Sequence, residues 1–370
     1  MPKVTVLMSV YNGEHYLRAS IDSILFQSFK DFEFLIINDG SADSTLEIIN
    51  TYDDSRIRLI NNECNLGLTK SLNKGLKLAR GKLIARQDGD DISEPDRLAK
   101  QVSFLEAHPK VALVGSWYKN IDPQGNLIGA YELPCESAQN RWEMLFCNPF
   151  IHSAVMFRKR PVACWIGSYL YDEAFVYAQD YALWGRIACR RKVANIGEYL
   201  VRLRLNPASM TNTYGETVDD EPRQIKLNHI KVFLSKKDFQ LWSDGHLLES
   251  MTALWLAEPE ALAEEIPKKL EDFYSYELDQ LITQIRHLHK KFCQYYHLGQ
   301  IERKKHYKEV CQHLSKRLMA IAHYYYYEDD DQETGQAIFA QACALKSSVG
   351  DINYGDAERH HEDIPFGIMT

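Results

Sequence analysis

The segment Leu83–Asp91 (LIARQDGDD) decides the fold, because it joins a short apolar strand to an acidic turn. The carboxylates of Asp88, Asp90 and Asp91 repel one another and need a cation or hydrogen-bond donors to compensate them. At the carboxyl end of a strand, such a turn faces the cleft where α/β sheets bind ligands. A hard divalent cation would bind both these carboxylates and phosphate oxygens. The alternative interpretation is an acidic turn that caps the helix beginning at Pro95.

Strands and helices alternate in the residues before this segment. Val4–Val10 is a short apolar, β-branched run typical of a strand in a parallel sheet, and Phe32–Asn38 and Arg56–Ile60 are predicted as further strands. Glu14–Gln27 and Leu68–Ala79 place their apolar residues on one face, as amphipathic helices do. This alternation implies right-handed crossovers. The sequence therefore predicts an α/β fold with a mostly parallel sheet flanked by helices.

The ends of the first two strands are polar in the same way as the end of Leu83–Asp91. The first strand runs into Ser9-Val-Tyr11-Asn12-Gly, and the second into Asn38-Asp39-Gly-Ser41. Each combines a hydrogen-bonding or acidic group with a glycine that permits a tight turn. Taken singly, each fits ordinary turn and helix-capping chemistry. Three such ends on one sheet predict a shared binding site.

Beyond about residue 219, long helical patterns replace the strands. We predict an α/β catalytic domain at 1–218, an α-helical domain at 219–347 and a polar, loosely ordered tail at 348–370. The helical region is also a candidate homodimer interface. The segment Arg286–His306 is rich in Lys, Arg and His and is typical of a solvated helix face. Peripheral contact with an anionic membrane is the alternative interpretation.

Composition excludes several classes of protein. The formal net charge of −8 argues against nucleic-acid binding, which needs a concentrated positive field. The eight cysteines form no CxxC pair, which argues against a zinc ribbon or a dithiol redox site. No stretch approaches the roughly 20 apolar residues of a membrane span, and a strand-like run begins too early for a signal peptide. These features predict a cytoplasmic protein with free thiols.

The ordered set of motifs resembles glycosyltransferase family 2, which has the GT-A fold. The matching residues, spread over roughly residues 3–210, are Ser9-Val-Tyr-Asn12, Asn38-Asp39-Gly-Ser41, Asn65-Leu-Gly67, Asp88-Gly-Asp90-Asp91 with Pro95 and Arg97, and Gln179-Asp180-Tyr-Ala-Leu-Trp184. The resemblance implies a non-processive, inverting enzyme that uses a nucleotide-diphosphate sugar, with a UDP-sugar favoured. A glycan or lipid-linked acceptor is implied as well, in bacterial surface-glycan assembly at the inner face of the membrane.

The resemblance also implies a role for each site residue. The positions that would contact the nucleotide and diphosphate are Ser9, Tyr11, Asn12, Asp39, Asn65, Asp88, Gly89 and Arg204. Asp90, with Asp91 as helper, would hold Mn²⁺ or Mg²⁺, and Asp180 would be the catalytic base. The chemistry agrees, since a divalent cation stabilises a departing diphosphate and a carboxylate can accept the proton of the acceptor hydroxyl. Asp180 can also be interpreted as a helix cap, which is compatible with the role of base.

The chain departs from the family pattern at two positions. Gln179 replaces the usual glutamate before the base, and the lost charge should leave the base slightly less basic. Asn206 stands where relatives often have histidine. Two arginines, Arg86 and Arg97, are candidates for the diphosphate, with pairing to a neighbouring aspartate as the alternative. His152 is a candidate for the acceptor side or for a structural role.

Two other functions remain open at the level of the sequence. A nucleotidyltransferase would also combine an α/β sheet with acidic metal ligands, but it needs a glycine-rich, basic phosphate loop after the first strand. Tyr11-Asn-Gly-Glu14 stands there instead, which disfavours this function. A non-catalytic sugar-nucleotide-binding protein is the second alternative, suggested by Gln179 and Asn206.

Overall fold

The structure, a computed structural model, describes residues 1–159, 170–206, 220–243, 247–256, 275–327 and 332–347. The chain divides into two compact units, Met1–Val232 and Phe233–Thr370. The predicted domain boundary after residue 218 and the predicted loose tail at 348–370 fall outside the described residues, so both stay predictions.

The first unit is built around one nine-stranded sheet. Its strands are β1 (Val4–Val10), β2 (Phe32–Asn38), β3 (Ile57–Asn61), β4 (Leu83–Arg86), β5 (Ile92–Ser93), β6 (Val111–Ile121), β7 (Leu127–Tyr131), β8 (Met156–Arg158) and β9 (Lys192–Arg204). The spatial order is β3-β2-β1-β4-β8-β6-β9-β5. β7 lies off this path and pairs with the end of β6, from Tyr118 to Ile121. The strands β3, β2, β1 and β4 are parallel, so their polar ends meet at one edge.

The predicted α/β fold of GT-A type is confirmed, and the sheet is mixed rather than purely parallel. β8 runs antiparallel to β4 and β6, and β5 runs antiparallel to β9. β7 is antiparallel to β6 because the short turn between them, closed by Gly125 N–H donating to Asp122 O at 3.0 Å, forms a hairpin. A tight hairpin can only join antiparallel strands.

Helices cover both faces of this sheet. They are α1 (Leu17–Leu25), α2 (Thr45–Asn50), α3 (Leu68–Leu78), α4 (Arg97–Ala107), α5 (Ser137–Glu143), α6 (Gln179–Arg190) and α7 (Asp220–Lys231), with a 3₁₀ turn at His152–Ala154. Successive residues of β1 point to opposite faces: Met8 packs with α1 and α4, whereas Leu7 packs with α3 and α6. Both faces of β1 and β2 are buried, which explains their continuous apolar sequences.

Helix α7 packs tightly against α6 at a glycine. A Cβ atom at Gly185 would lie 1.8 Å from Nε2 of His229, so no larger residue fits there without displacing the imidazole. His229 is buried, and its Nδ1 is 2.7 Å from the carbonyl oxygen of Met144. Burial lowers the pKa of His229 to about 4, so the ring is neutral and donates to this carbonyl.

The second unit is helical in its described residues. Its helices are α8 (Lys236–Ser243), α9 (Leu247–Leu256), α10 (Ser275–Tyr295), α11 (Gln300–Tyr327) and α12 (Gln332–Ser347). Trp242, Met251, Leu288 and Phe292 are buried in its core. Over the ranges that the structure describes, no helix of either unit is both long and apolar enough to cross a bilayer.

Candidate active site

The acidic turn after β4 is held by two buried polar side chains. The amide of Gln87 donates to the backbone carbonyls of Asp88 at 3.2 Å and Asp91 at 2.8 Å. The same amide accepts a hydrogen bond from Nη1 of Arg97 at 3.0 Å. Arg97 is fully buried and also donates to the carbonyl oxygen of Arg86 at 2.7 Å. In this structure Arg97 therefore serves the backbone of the turn.

The Asp88 carboxylate is the most strongly compensated of the three in the turn. It pairs with the guanidinium of Arg86 and accepts a hydrogen bond from the Ser153 hydroxyl at 2.6 Å. Burial works to raise the pKa of Asp88, but the charge of Arg86 and the hydrogen bonds from Arg86 and the Ser153 hydroxyl bring it below its usual range. Asp88 is thus ionised, and Arg86 pairs with the neighbouring aspartate.

Asp90 and Asp91 carry less compensation. Asp91 is 2% exposed and accepts the backbone N–H of Arg204 at 2.9 Å. Asp90 is more exposed and accepts a long hydrogen bond from the Asn206 amide at 3.3 Å. Burial and the charge of Asp88 raise the pKa of Asp90; burial and the charges of Asp90 and Asp88 raise the pKa of Asp91 well above its usual range. A cation would relieve this excess of negative charge, and carboxylate oxygens are suitable ligands for Mg²⁺ or Mn²⁺.

Arg204 lies beside the turn but directs its guanidinium to the backbone. Nε donates to the carbonyl oxygen of Asp90 at 3.0 Å, and Nη1 donates to those of Asp122 at 3.0 Å and Pro123 at 2.9 Å. The guanidinium also stacks over the ring of Tyr16, 4.6 Å from its centroid. These contacts position β9 against the turn. The contact of Arg204 with a diphosphate stays a prediction.

Asp39 ties the end of β2 to the loop that precedes α3. Its carboxylate accepts the backbone N–H groups of Leu66 and Gly67, each at 3.0 Å, and the amide of Asn62 at 2.7 Å. Within the same loop, the Asn65 side chain accepts the Gly67 N–H at 2.8 Å. Asp39 is only 2% exposed. It therefore shapes the loop that presents Asn65.

The ends of β1 and β2 are joined through Asn12. Its backbone N–H donates to the Ser41 hydroxyl at 3.0 Å, and its side chain accepts the N–H of Ala42 at 2.9 Å. Asn12 has a φ of 50°, a left-handed conformation that asparagine tolerates better than most residues. Gly40 has a φ of +70°, and a Cβ there would lie 2.5 Å from the carbonyl carbon of Cys64. Glycine is therefore required at position 40.

The remaining nucleotide-binding candidates differ in exposure. Ser9 is 7% exposed within β1, whereas the ring of Tyr11 is 49% exposed just beyond the strand. Gly89 is partly exposed, and a Cβ there would lie 3.2 Å from Cγ2 of Val10. Tyr11 is thus available to a ligand, while Ser9 lies within the sheet.

Asp180 lies in the first turn of α6 and is half-buried. Its carboxylate accepts the backbone N–H of Tyr181 at 2.6 Å and the amide of Asn148 at 3.0 Å. Burial raises the pKa of Asp180 to about 6, and the charge of Asp88 contributes to the increase. The same Asp88 charge acts on Asp90 and Asp91, so these four carboxylates share one region of the sheet edge.

Two side chains shape the residues just before Asp180, and the sequence predicted the role of neither. The amide of Gln179, oriented with its NH₂ group inward, donates to the carbonyls of Tyr177 at 2.8 Å and Val176 at 3.0 Å. The Glu221 carboxylate accepts the N–H groups of Val176 at 2.8 Å and of Tyr177 and Ala178 at 3.0 Å each. No sequence motif marks Glu221, because its contacts span more than 40 residues and involve only backbone partners.

His152 lies in a network with the buried side chains of Arg86 and Tyr171, and its role on the acceptor side stays a prediction. Its Nε2 is 3.2 Å from Nε of Arg86 and 2.9 Å from the hydroxyl of Tyr171. Since Arg86 can only donate, Nε2 must accept. Burial and the charge of Arg86 lower the pKa of His152 to about 3, so the ring is neutral.

Comparison with known proteins places this geometry in a family. The model of Glycosyl transferase family 2 matches residues 5–165. The glycosyltransferase AmsE of amylovoran biosynthesis from Erwinia amylovora is 31% identical over 255 residues, which span 68% of this chain and 93% of that protein. An uncharacterised glycosyltransferase of Haemophilus influenzae is 29% identical over 325 residues, or 85% of this chain and 97% of that protein.

A solved structure shows the same fold at low sequence identity. The crystal structure of S. aureus TarS residues 1–349 in complex with UDP-GlcNAc superimposes with a TM-score of 0.54 and 15% identity, over 92% of each chain. Together, the family model and the extended similarity to AmsE confirm the resemblance carried by the strand-end motifs. The chain is therefore a glycosyltransferase that belongs to family 2.

Proposed function

We propose that this glycosyltransferase moves a sugar from a UDP-sugar to a hydroxyl of a glycan or lipid-linked acceptor, with inversion at the anomeric carbon. The observation that carries the proposal is the position of Asp180, half-buried beside the acidic turn with a pKa raised to about 6. A carboxylate of that pKa is ionised at neutral pH and accepts a proton more readily than an exposed one. The amylovoran role named for AmsE and the UDP-GlcNAc bound to TarS support the acceptor and donor classes.

The acidic turn is suited to hold the divalent cation. Asp90 offers the more exposed carboxylate, while Asp91 fixes the turn against β9 through the Arg204 N–H. When bound, Mn²⁺ or Mg²⁺ would neutralise the charge that develops on the departing diphosphate. The raised pKa of both carboxyls supports this assignment, because burial and the neighbouring carboxylate charges disfavour their ionisation and a bound cation would offset both effects.

The nucleotide would lie along the ends of β1, β2 and β4. Tyr11 offers an exposed ring to the base, and Asn12 fixes the adjoining turn. Asp39 is satisfied by three internal donors, so it contributes mainly by shaping the loop of Asn65. Asp88, ionised and aligned by Arg86, offers a carboxylate to a hydroxyl or ring N–H of the nucleotide.

Asp180 would remove the proton of the attacking hydroxyl. As the acceptor oxygen bonds to the anomeric carbon, the bond from that carbon to the diphosphate oxygen breaks and the proton moves to the Asp180 carboxylate. A single in-line displacement of this kind inverts the configuration, as it does in inverting glycosidases. The amide of Asn148 and the N–H of Tyr181 hold the carboxylate in place during the transfer.

The test is a screen of UDP-, GDP- and dTDP-sugars with Mn²⁺, in which slow donor hydrolysis is followed by ¹H NMR of the anomeric proton. The wild-type protein is compared with Asp180→Asn and with the control Asp53→Asn, an exposed aspartate distant in sequence. We expect hydrolysis of a UDP-sugar with inversion, a loss of about 10²–10⁴-fold in Asp180→Asn, and no change in the control.

Two results would contradict the proposal. Equal hydrolysis by wild type and Asp180→Asn would exclude Asp180 as the base. Retention of configuration in the first-formed sugar would exclude a single displacement. Turnover of GDP- or dTDP-sugars alone would contradict only the choice of donor.

A further inference from the structure

The second unit brings together three buried side chains that the glycosyltransferase site does not use. His289 and Cys293 come from α10, and His306 comes from α11. Nε2 of His289 lies 3.0 Å from Nδ1 of His306 and 3.5 Å from Sγ of Cys293. All three donor atoms lie within 4.8 Å of one another, and the side chains are 2–6% exposed.

The placement of these donors follows from helix geometry. Residues four apart lie one above the other on the same helix face, so His289 and Cys293 point to the same side of α10. α11 follows α10 after a short turn in which Leu298 N–H donates to the Cys293 carbonyl at 3.1 Å. His306, two turns into α11, then meets them. The cluster therefore links the two helices close to their connection.

The distances fit a tetrahedral zinc site. With Zn–N bonds of about 2.0–2.1 Å and Zn–S bonds of about 2.3 Å, two nitrogen ligands lie about 3.3 Å apart and nitrogen and sulfur about 3.6 Å apart. The observed separations are 3.0 and 3.5 Å. The donor nitrogen of His306 and Sγ of Cys293 lie within 4.8 Å of each other, so side-chain rotation that brings this pair closer would place all three atoms around one ion. A water molecule or a fourth donor would complete the tetrahedron.

The chemistry and surroundings of the donors also suit a borderline-soft ion. His289 is buried, and a neutral imidazole nitrogen offers a lone pair to a metal ion. The rings of Phe292 and His306 stack, with centroids 5.2 Å apart, and Tyr307 packs against His289. This largely aromatic shell limits the access of bulk solvent to the three donors. Imidazole and thiolate together favour Zn²⁺ over the Mg²⁺ or Mn²⁺ that carboxylates prefer.

We propose that His289, Cys293 and His306 form a structural zinc site that clips α10 to α11. On binding, the Cys293 thiol loses its proton to solvent and its sulfur bonds to the ion. This site is separate from the acidic turn in the first unit, and it does not depend on the sugar-transfer proposal. The alternative is a hydrogen-bonded cluster of two neutral imidazoles and a thiol that needs no metal.

The test uses the untagged full-length protein carrying Asp90→Asn, so that the acidic turn does not contribute to the metal count. The metal-stripped protein is titrated with Co²⁺ as the probe, and a thiolate–cobalt charge-transfer band is monitored. Zn²⁺ displaces the Co²⁺ and is counted by elemental analysis. We expect one ion per chain, tetrahedral d–d bands and a higher melting temperature with Zn²⁺.

Single variants then assign the ligands. Loss of a group that merely orients a metal ligand weakens binding by about 10–100-fold. Cys293→Ser and His306→Ala remove ligands themselves, so we expect a decrease of at least about 100-fold. Cys311→Ser is the matched control, because Cys311 is an equally buried cysteine outside the cluster, on α11. Its metal binding should equal that of the parent.

The outcome does not depend on whether the variants fold. Absence of a thiolate–cobalt band in the parent protein would overturn the proposal and favour the metal-free cluster. A band that persists in Cys293→Ser but disappears in Cys311→Ser would also overturn it. If Cys293→Ser does not fold, protection of the parent's Cys293 from alkylation by Zn²⁺, measured by peptide mass spectrometry, decides the question: protection supports the site and equal alkylation overturns it.

Discussion

The acidic turn after β4 and the first turn of α6 both present aspartates to the same edge of the sheet. The surroundings of Asp88 in the turn and of Asp180 in α6 shift the two pKa values in opposite directions. In the turn, Asp88 is paired with Arg86 and its pKa lies below the usual range. At α6, the partners of Asp180 among the residues that the structure describes are the Asn148 amide and the Tyr181 N–H, and burial raises its pKa to about 6. The side chains are identical, so the difference comes from their surroundings.

This difference separates two chemical tasks. A carboxylate that stays ionised is suited to binding a nucleotide or a cation, whereas a base must be able to gain a proton at working pH. The Arg86 guanidinium keeps Asp88 ionised, and partial burial allows Asp180 to gain a proton near pH 6. The predictions below test that separation, from the largest expected effect to the smallest.

The largest effect is expected from Asp90→Asn compared with Asp91→Asn. Asp90→Asn removes the exposed carboxylate of the proposed cation site and should lower Mn²⁺-dependent turnover by about 10²–10³-fold. Asparagine at 91 can still accept the Arg204 N–H, so its turnover should fall by less than about tenfold. Donor turnover at several Mn²⁺ concentrations measures both. Equal losses in the two variants would contradict the division of roles within the turn.

The pH dependence of kcat/KM tests the raised pKa of Asp180. A base must be deprotonated, so activity should fall by about tenfold for each pH unit below about 6. Stability should change in the opposite direction. Because the pKa is higher in the folded protein than the 3.8 of an ordinary aspartate, the stabilisation from Asp180 is complete below pH 4 and is lost as the pH rises through 6.

Denaturant unfolding of Asp180→Asn provides a check that needs no activity. The variant lacks the titrating carboxyl, so its free energy of unfolding should decrease less between pH 4 and pH 6.5 than that of the wild type. Parallel pH curves for the two proteins would show that the pKa of Asp180 is not raised by folding.

Glu221→Gln tests whether the residues just before α6 need the Glu221 carboxylate to keep Asp180 in position. The Glu221 carboxylate accepts hydrogen bonds from three consecutive backbone N–H groups. In Glu221→Gln, the NH₂ of the amide would face some of these N–H groups, and two donors cannot form a hydrogen bond. A small displacement of Asp180 should lower kcat by about tenfold and leave the KM for the donor unchanged, since misplacement by 1 Å can cost about 10²-fold. Glu47→Gln, at an exposed position of α2, is the control. A change in KM alone would argue against positioning.

Gln179→Glu should have the smallest effect. An ionised glutamate cannot donate to the carbonyls of Val176 and Tyr177, so the free energy of unfolding should fall by about 1–3 kcal/mol. The added charge beside Asp180 should raise the pKa of that carboxyl. Activity should then begin to fall at a higher pH as the solution is acidified. An unchanged pH dependence below neutrality would show that a glutamate at position 179 does not alter the pKa of Asp180.

Contiguous motifs made much of the first unit predictable. β1 and β2 have the predicted bounds because strands buried on both faces leave continuous apolar runs. The turn of Asp88, Asp90 and Asp91 was visible because its residues are adjacent in sequence. The strand β8 is also visible as an apolar run, but its antiparallel direction and the role of Glu221 could not be predicted, since strand direction and long-range N–H contacts depend on how distant segments pack.

The sequence by itself determined the fold class and the family, because local periodicity and adjacent polar strand ends survive in a linear pattern. Tertiary structure alone decided how each charged group is used. Arg97 and Arg204 turn to backbone carbonyls, and His152 joins a buried network. Tertiary structure also brings His306 of α11 to His289 and Cys293 of α10. The physical reason is that burial and partner geometry set charge and ligand chemistry, and both arise only when distant segments meet.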